Sequence, residues 1–325
     1  MFPGEEAPRL KVLVTGANGF IGSALSRALV DNGHVVRAAI RKKGASIESL
    51  PEGIETVAVG DLSPKTEWQA ALRGVGLVFH CAARVHVMQE LSPCPLASYR
   101  EINTEGTHRL AMEAATAGVK RLVFLSSIGV LGQQTLSGDK FKAEDAPCPR
   151  EPYAVSKREA EEVLKKVARK TGLEIVVVRP PLVYGPGAKG NFPRLVKLVL
   201  SGLPLPFGGI SNRRSFVGLG NLVDLLVACG LRKQAAGKTV LVCDGQDLST
   251  PEFLKKVAQA WQVPLRLWSV PPPWLAMAGW LAGKKAEIDR LVESLVMDDS
   301  PTRQLLGWEP PFTVEQELQR AARQW

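Results

Sequence analysis

Short apolar, β-branched runs alternate along the chain with longer segments whose apolar residues recur every three or four positions. The runs at Leu10 to Thr15, Val35 to Ile40, Ile54 to Val59, Leu77 to His80, Arg121 to Ser126 and Glu174 to Val178 predict strands. They are nearly continuously apolar, the pattern of strands covered on both faces. The spacing between them predicts helices over Ile21 to Asn32, Leu96 to Ala117 and Pro152 to Thr171, the last two stopped by Gly118 and Gly172. This alternation predicts an α/β fold, a doubly wound parallel sheet.

After Arg179 the pattern turns to Pro180-Pro181, Gly185-Pro186-Gly187 and Pro204 to Gly209, interleaved with short helices. The expected organisation is a first domain over 1–179 and a smaller C-terminal α/β substrate lobe over 180–325. A helix and strand at about Leu219 to Asp244 return to the first domain. The most apolar late stretch, Trp274 to Ala282, lies between Pro273 and Gly283-Lys284-Lys285. It is far shorter than the ~20 residues of a membrane-spanning helix. A buried helix is the expectation there, a membrane-docking patch the alternative.

Composition changes this picture little. The net charge of +9 on 325 residues is spread without a basic run longer than Arg41-Lys42-Lys43, which favours a small anionic ligand over nucleic acid. Cys81, Cys94, Cys148, Cys229 and Cys243 show no CxxC or metal spacing and read as reduced thiols. His34, His80, His86 and His108 also lack ligand spacing, so no metal is expected. Met1 to Leu10 carries acids and prolines rather than a signal-peptide pattern, which points to a cytoplasmic protein.

The first predicted strand runs into Gly16-Ala17-Asn18-Gly19-Phe20-Ile21-Gly22 and then a helix. Glycines at 16, 19 and 22 permit a tight turn, close approach of backbone to a pyrophosphate, and close helix–strand packing. The turn residues Gly16, Asn18, Gly19, Phe20, Ile21 and Gly22 are therefore candidate dinucleotide contacts in a Rossmann-type domain. At the end of the second strand, Ile40 occupies the place of the acid that binds an NAD ribose, and Arg41 follows. An Arg there accommodates a 2′-phosphate, so NADP(H) is favoured over NAD(H).

Tyr153 and Lys157 are four apart at the start of a predicted helix and project from one face. A phenol of pKa ~10 is about 0.1% ionised at neutral pH. An ammonium ~4 Å away at an effective dielectric of ~20 would favour the phenolate by ~4 kcal/mol, up to roughly three pKa units. About 26 residues earlier a predicted strand ends at Ser126-Ser127, and ligands of doubly wound sheets lie at strand carboxyl ends.

In this order, glycine turn, strand-end Ser, then Tyr and Lys, the chain resembles the extended short-chain dehydrogenases, of the NAD-dependent epimerase/dehydratase type, over nearly its whole length. The resemblance implies that Tyr153 is the general acid/base, that Lys157 lowers its pKa and binds the nicotinamide ribose, and that Ser127 bonds the reacting oxygen. Ser127 stands four before the penultimate position of Val130-Leu131-Gly132, where the family has V-Y-G and Leu131 replaces the Tyr. It also implies that Asp61 and Leu62, Ala82 and Ala83, and Pro180 face the cofactor, and that Asn103 shapes the active-site helix.

Arg179-Pro180-Pro181-Leu182-Val183-Tyr184-Gly185-Pro186-Gly187 resembles the RPxNVYGPG segment of nucleotide-sugar enzymes, with Leu182 in place of Asn. Asn191 could supply a substitute amide. By the same likeness Arg214 grips a nucleotide diphosphate, with Arg290 as a second candidate, since guanidinium bonds two phosphate oxygens at once. Through Ala82 to Met88, Arg179 to Tyr184 and Asn212 to Ser215 the chain is most similar to UDP-4-keto-6-deoxy-HexNAc 4-reductases, often labelled UDP-glucose 4-epimerase-like. Reduction at sugar C4 is the expected activity. A UDP-hexose 4-epimerase is the alternative, and a non-catalytic dinucleotide sensor or scaffold is the reading from another class. A 4,6-dehydratase is disfavoured, because Ile128-Gly129 follow Ser127 where that chemistry needs further acid and base groups. The two longer predicted helices resemble the pair that makes a homodimer interface in the family.

Overall fold

Strand β1 (Lys11–Thr15) shows why the sheet forms: Val12, Leu13 and Val14 are all fully buried, though successive side chains point to opposite faces. The computed structural model describes residues 9–41, 50–85 and 94–325. Lys42, Lys43 and the segment His86 to Met88, singled out above, lie outside the described residues, as does most of Met1 to Leu10.

From β1 the chain passes through the glycine turn into α1 (Phe20–Asp31), then β2 (Val35–Ile40), β3 (Glu55–Ala58), α2 (Gln69–Leu72) and β4 (Leu77–His80). Helix α3 (Pro95–Tyr99), a π-helical stretch over Arg100–Glu105 and α4 (Gly106–Thr116) lead to β5 (Arg121–Leu125). After a loop come α5 (Pro152–Thr171) and β6 (Glu174–Arg179). There follow β7 (Leu182–Tyr184), α6 (Asn191–Leu200), β8 (Phe216–Gly218), α7 (Leu219–Leu231) and β9 (Thr239–Leu241). The remaining elements are α8 (Thr250–Ala260), α9 (Pro272–Leu281), α10 (Lys285–Val292), α11 (Ser300–Leu306) and α12 (Val314–Arg323).

Among the described residues seven strands form one sheet in the order β3-β2-β1-β4-β5-β6-β9, every pair parallel. One face carries α1 and α7 on Val12, Val14 and Phe79; the other carries α4 and α5 on Leu13, Val78 and Phe124. This is the doubly wound α/β architecture. A separate core of Tyr184, Phe192, Phe216, Phe253 and Leu254 gathers β7, β8, α6 and α8, with the Phe216 and Phe253 rings stacked at 4.3 Å. The Tyr184 hydroxyl donates to Asp244 (2.8 Å), which also accepts from Gly218 N–H and the Asn221 amide and so ties that core to α7.

Three local expectations change. The third strand is exposed along Glu55, Thr56 and Ala58 because it is the sheet's edge; Glu55 reaches back to ion-pair with Arg37 (2.8 Å) and Lys11 (3.2 Å). The helix expected over Leu96 to Ala117 is divided by the π-helical stretch around Asn103. The Trp274 to Ala282 helix exists as α9, but only Leu275 and Gly279 are buried, because the lobe beneath covers just one stripe of it.

Candidate active site

The glycine turn is built by backbone crowding that excludes side chains. Gly16 has φ +66°, and a Cβ there would lie 2.9 Å from Ala82 N; a Cβ on Gly22 would lie 2.1 Å from Gly16 O. The turn closes with Gly19 N–H bonded to Gly16 O (2.9 Å), and α1 starts at Gly19 with no side-chain cap on its first N–H groups. Those donors point to the carboxyl end of β1, an arrangement suited to a pyrophosphate.

A cleft of about 660 Å³ opens above this turn. Gly16, Asn18, Gly19, Phe20, Ile21 and Gly22 line it, as do Arg41, Asp61, Leu62, Ala82, Ala83, Ser127, Tyr153, Lys157 and Pro180. The cleft runs along the strand ends from Arg41, 4.0 Å from Asp61 at the exposed lip, to the Tyr153 end. An elongated dinucleotide, with phosphates at the turn, fits this donor set and shape.

At the inner end Lys157 is buried. Its ammonium donates to Leu125 O (2.8 Å), lies 4.4 Å from the Phe124 ring centroid and 6.0 Å from that of Tyr153. Burial pushes its pKa down to about 8, partly offset by Cys81 and Glu161. Burial pushes the Tyr153 phenol upward, with Tyr99 adding to it. That direction is opposite to the depression expected from Lys157, because burial of the phenol dominates.

The two strand-end serines differ. Ser126 is buried and donates to Glu161 (2.6 Å), which also receives a two-pronged bond from the buried Arg179 guanidinium (2.9 and 2.6 Å). Ser127 is half-buried, lines the cleft, and its Oγ accepts from Gly129 N–H (3.1 Å). Leu131 is buried against Ile128, Leu241 and Met297.

Asn103 pins the start of α5 from two sides. Its amide donates to Arg84 O (3.0 Å) and Ser156 Oγ (3.0 Å), its oxygen accepts from Arg84 N–H (2.8 Å), and Ser156 Oγ donates to Tyr153 O (2.7 Å). The loop carrying Ala82 and Ala83 is fixed from below. Ala82 N–H donates to Thr15 Oγ1 (3.1 Å), which contacts Nδ1 of the buried His80 (2.7 Å); the other ring nitrogen meets Thr107 Oγ1 (2.8 Å). Burial, with the Lys157 charge behind it, pushes the His80 pKa down to about 3, so the ring is neutral.

The three remaining substrate candidates do not line the cleft. Asn191 is the first residue of α6. The largely buried Arg214 donates to Glu293 O (2.8 Å); burial lowers its pKa to about 10, and nearby Arg290 adds to the shift. Arg290 ion-pairs with Glu151, the residue before α5, and so reaches the Tyr153 end through the helix start. Lys189, which no motif singled out, lines the cleft from the loop before α6; its only sequence signal is a lone cation between Ala188 and Gly190 after a Gly-Pro-Gly turn. Among the described residues no cluster of His, Cys, Asp or Glu is placed to hold a metal ion.

Fold and cleft together define an α/β protein of the extended short-chain dehydrogenase type. Residues 12–243 match the NAD dependent epimerase/dehydratase family, and the chain belongs to that family. It is 40% identical over 330 residues to a UDP-glucose 4-epimerase of Vibrio cholerae, covering 99% of this chain and 98% of the relative. Its fold is similar to that of the Thermotoga maritima UDP-glucose 4-epimerase determined with UDP-glucose (TM-score 0.78, 22% identity, 97% of this chain and 98% of the other). It is equally similar to the Bacillus cereus UDP-glucuronic acid 4-epimerase determined with NAD (TM-score 0.78, 21% identity, 97% and 98%).

Proposed function

We propose that the protein is a UDP-hexose 4-epimerase using a bound nicotinamide dinucleotide. The observation that carries the reading is one cleft lined at one end by the Gly16 to Gly22 turn and at the other by Ser127, Tyr153 and Lys157. The full-length likeness to a UDP-glucose 4-epimerase selects among the reactions that such a site performs.

The turn amides hold the pyrophosphate, and Asp61 and Arg41 flank the adenosine end. When bound, the nicotinamide ring supplies the hydride acceptor and donor at sugar C4, and its positive charge favours ionised Tyr153. Tyr153 takes the proton from the C4 hydroxyl and returns it to the same oxygen. Ser127 bonds that oxygen, and Lys157 holds the nicotinamide ribose and stabilises the phenolate. Arg290, paired with Glu151 at the start of α5, and the nearby Arg214 would neutralise the diphosphate of the sugar nucleotide.

A second reading, a UDP-4-keto-6-deoxy-HexNAc 4-reductase drawing on NADPH, is favoured by one feature: β2 ends in Ile40-Arg41 with no acid for a ribose 2′-hydroxyl. One assay separates the two. The purified protein, given UDP-glucose, UDP-galactose and their N-acetyl counterparts without added cofactor, is expected to form the C4 epimer with no net change in nicotinamide absorbance. Tyr153→Phe should lower that rate at least ~100-fold, the lower range for a positioned acid or base. Stoichiometric NAD(P)H consumption with a 4-keto sugar, and no epimer, would replace this reading by the second.

A further inference from the structure

Helix α9 is apolar over its whole length, yet its outer side has no cover among the described residues. Trp274 and Trp280 are 62% and 67% exposed, and Met277 and Leu281 face outward with them. The helix is seated by one stripe only: Leu275 joins the lobe's core, and bare Gly279 lets α10 approach so closely that a Cβ there would lie 2.6 Å from Ile288. Just before the helix, Trp268 is 65% exposed. Its backbone pairs with Leu205 (N–H to O, 2.8 Å), which brings the exposed Leu203 alongside.

The segments that form this patch are basic, with Lys256 paired to Glu315 and Lys285 to Asp289 at its edge. No Asp or Glu occurs from residue 253 to 286, whereas Lys255, Lys256, Arg266, Lys284 and Lys285 do; none occurs from 188 to 223 either. The nearest carboxylates beyond are engaged: Glu287 lies 3.7 Å from Arg194, and Asp289 is 2.9 Å from Lys285. An apolar patch rimmed by cations marks an interaction surface. Two copies meeting through it across a two-fold axis would set Lys284 against like charge. Exposed indoles beside lysines match instead the boundary between anionic headgroups and acyl chains, where amphipathic rings insert and basic residues stay among the phosphates.

We propose that Trp268, Trp274, Met277, Trp280 and Leu281, with Lys284 and Lys285, dock the protein peripherally on an anionic lipid bilayer. No helix among the described residues is long and apolar enough to cross a membrane, so the association is confined to the surface and reversible. It brings the lobe carrying Arg214 and Arg290 to the membrane face while the active-site residues take no part in the contact.

The test is co-sedimentation of the full chain with vesicles of phosphatidylcholine alone and of phosphatidylcholine mixed with phosphatidylglycerol. Binding to the anionic vesicles is expected, with a blue shift of tryptophan emission and far weaker binding to the neutral ones. The double variant Trp274→Ser, Trp280→Ser should weaken partitioning at least roughly tenfold, the lower end for one large apolar side chain. Lys284→Glu should weaken it roughly fivefold or more. Both variants should keep the wild-type melting temperature. Absence of binding to anionic vesicles, or binding unchanged in the tryptophan variant, overturns the proposal. So does concentration-dependent self-association that the tryptophan variant abolishes while no lipid is bound, because the patch is then an interface between copies.

Discussion

Adjacent side chains at the end of β5 have different partners, and the difference is measurable. Ser126 hydrogen-bonds to Glu161 inside a buried network with Arg179, whereas Ser127 is half-buried at the cleft and its Oγ accepts from Gly129 N–H. Removing the Ser126 hydroxyl leaves the buried Glu161 carboxylate with one hydrogen-bond donor fewer, a loss of about 1–3 kcal/mol. Ser126→Ala should therefore shift the denaturation midpoint and change turnover less, while Ser127→Ala should lower turnover by roughly 100-fold and leave the midpoint in place, as expected for a group that bonds the reacting oxygen. Paired urea-unfolding and rate measurements on the two variants decide the assignment. The reverse pattern would make Ser126 the reacting group. In the sequence Ser127 is set apart only by its place before Val130-Leu131-Gly132; the hydrogen-bond partners supply the physical reason.

At the scale of elements, the active-site helix depends on a defect in its neighbour. The π-helical stretch Arg100–Glu105 inserts a wide turn between α3 and α4, and Asn103 within it bonds both Arg84 and Ser156. A regular helix over Leu96 to Ala117 was the reading from periodicity, which registers apolar spacing and cannot register an added backbone residue in one turn. Asn103→Ala should leave the Arg84 peptide without its partners, cost about 1–3 kcal/mol, and free the start of α5 so that Tyr153 loses its position. The expected signature is a fall in turnover larger than the change in substrate KM, with stability reduced. Equal kinetics to wild type at reduced stability would confine Asn103 to folding.

For the whole molecule, two fully buried bases make stability depend on pH. His80, pKa about 3 in the fold against 6.5 when unfolded, binds no proton in the folded chain at neutral pH. Between these values the unfolded state binds more protons, so stability is complete above pH ~6.5 and is lost as pH falls toward 3, by on the order of 5 kcal/mol at ~1.36 kcal/mol per unit. Lys157, lowered from 10.5 to about 8, gives a second window, in which stability rises with pH above ~8. Urea unfolding from pH 4 to 7 should show the first slope in the wild type and a shallower one in His80→Gln. Parallel slopes would place the acid sensitivity elsewhere. The position of His80, between Thr15 on β1 and Thr107 on α4, joins sheet and helix directly beneath the Ala82 loop.

The sequence alone determined the doubly wound sheet, the glycine turn and the Tyr153–Lys157 pair, because each is encoded within one strand, one strand-turn-helix unit or one helical turn. Short continuous apolar runs, the room that only glycine leaves and the i,i+4 spacing are local properties of the chain. What depended on contacts between distant segments became visible only in the tertiary structure. Both strand-end serines line the cleft, but the Ser126 hydroxyl is taken by Glu161, 35 residues away, and that of Ser127 is not. Burial shifts the Tyr153 phenol upward, an effect of the walls around it that the i,i+4 spacing does not register. Arg214 and Arg290 fall outside the cleft lining, the first engaged by Glu293 O and the second by Glu151 at the start of α5. An apolar helix that reads as core stands exposed because the lobe beneath α9 offers it only the width of Leu275 and Gly279.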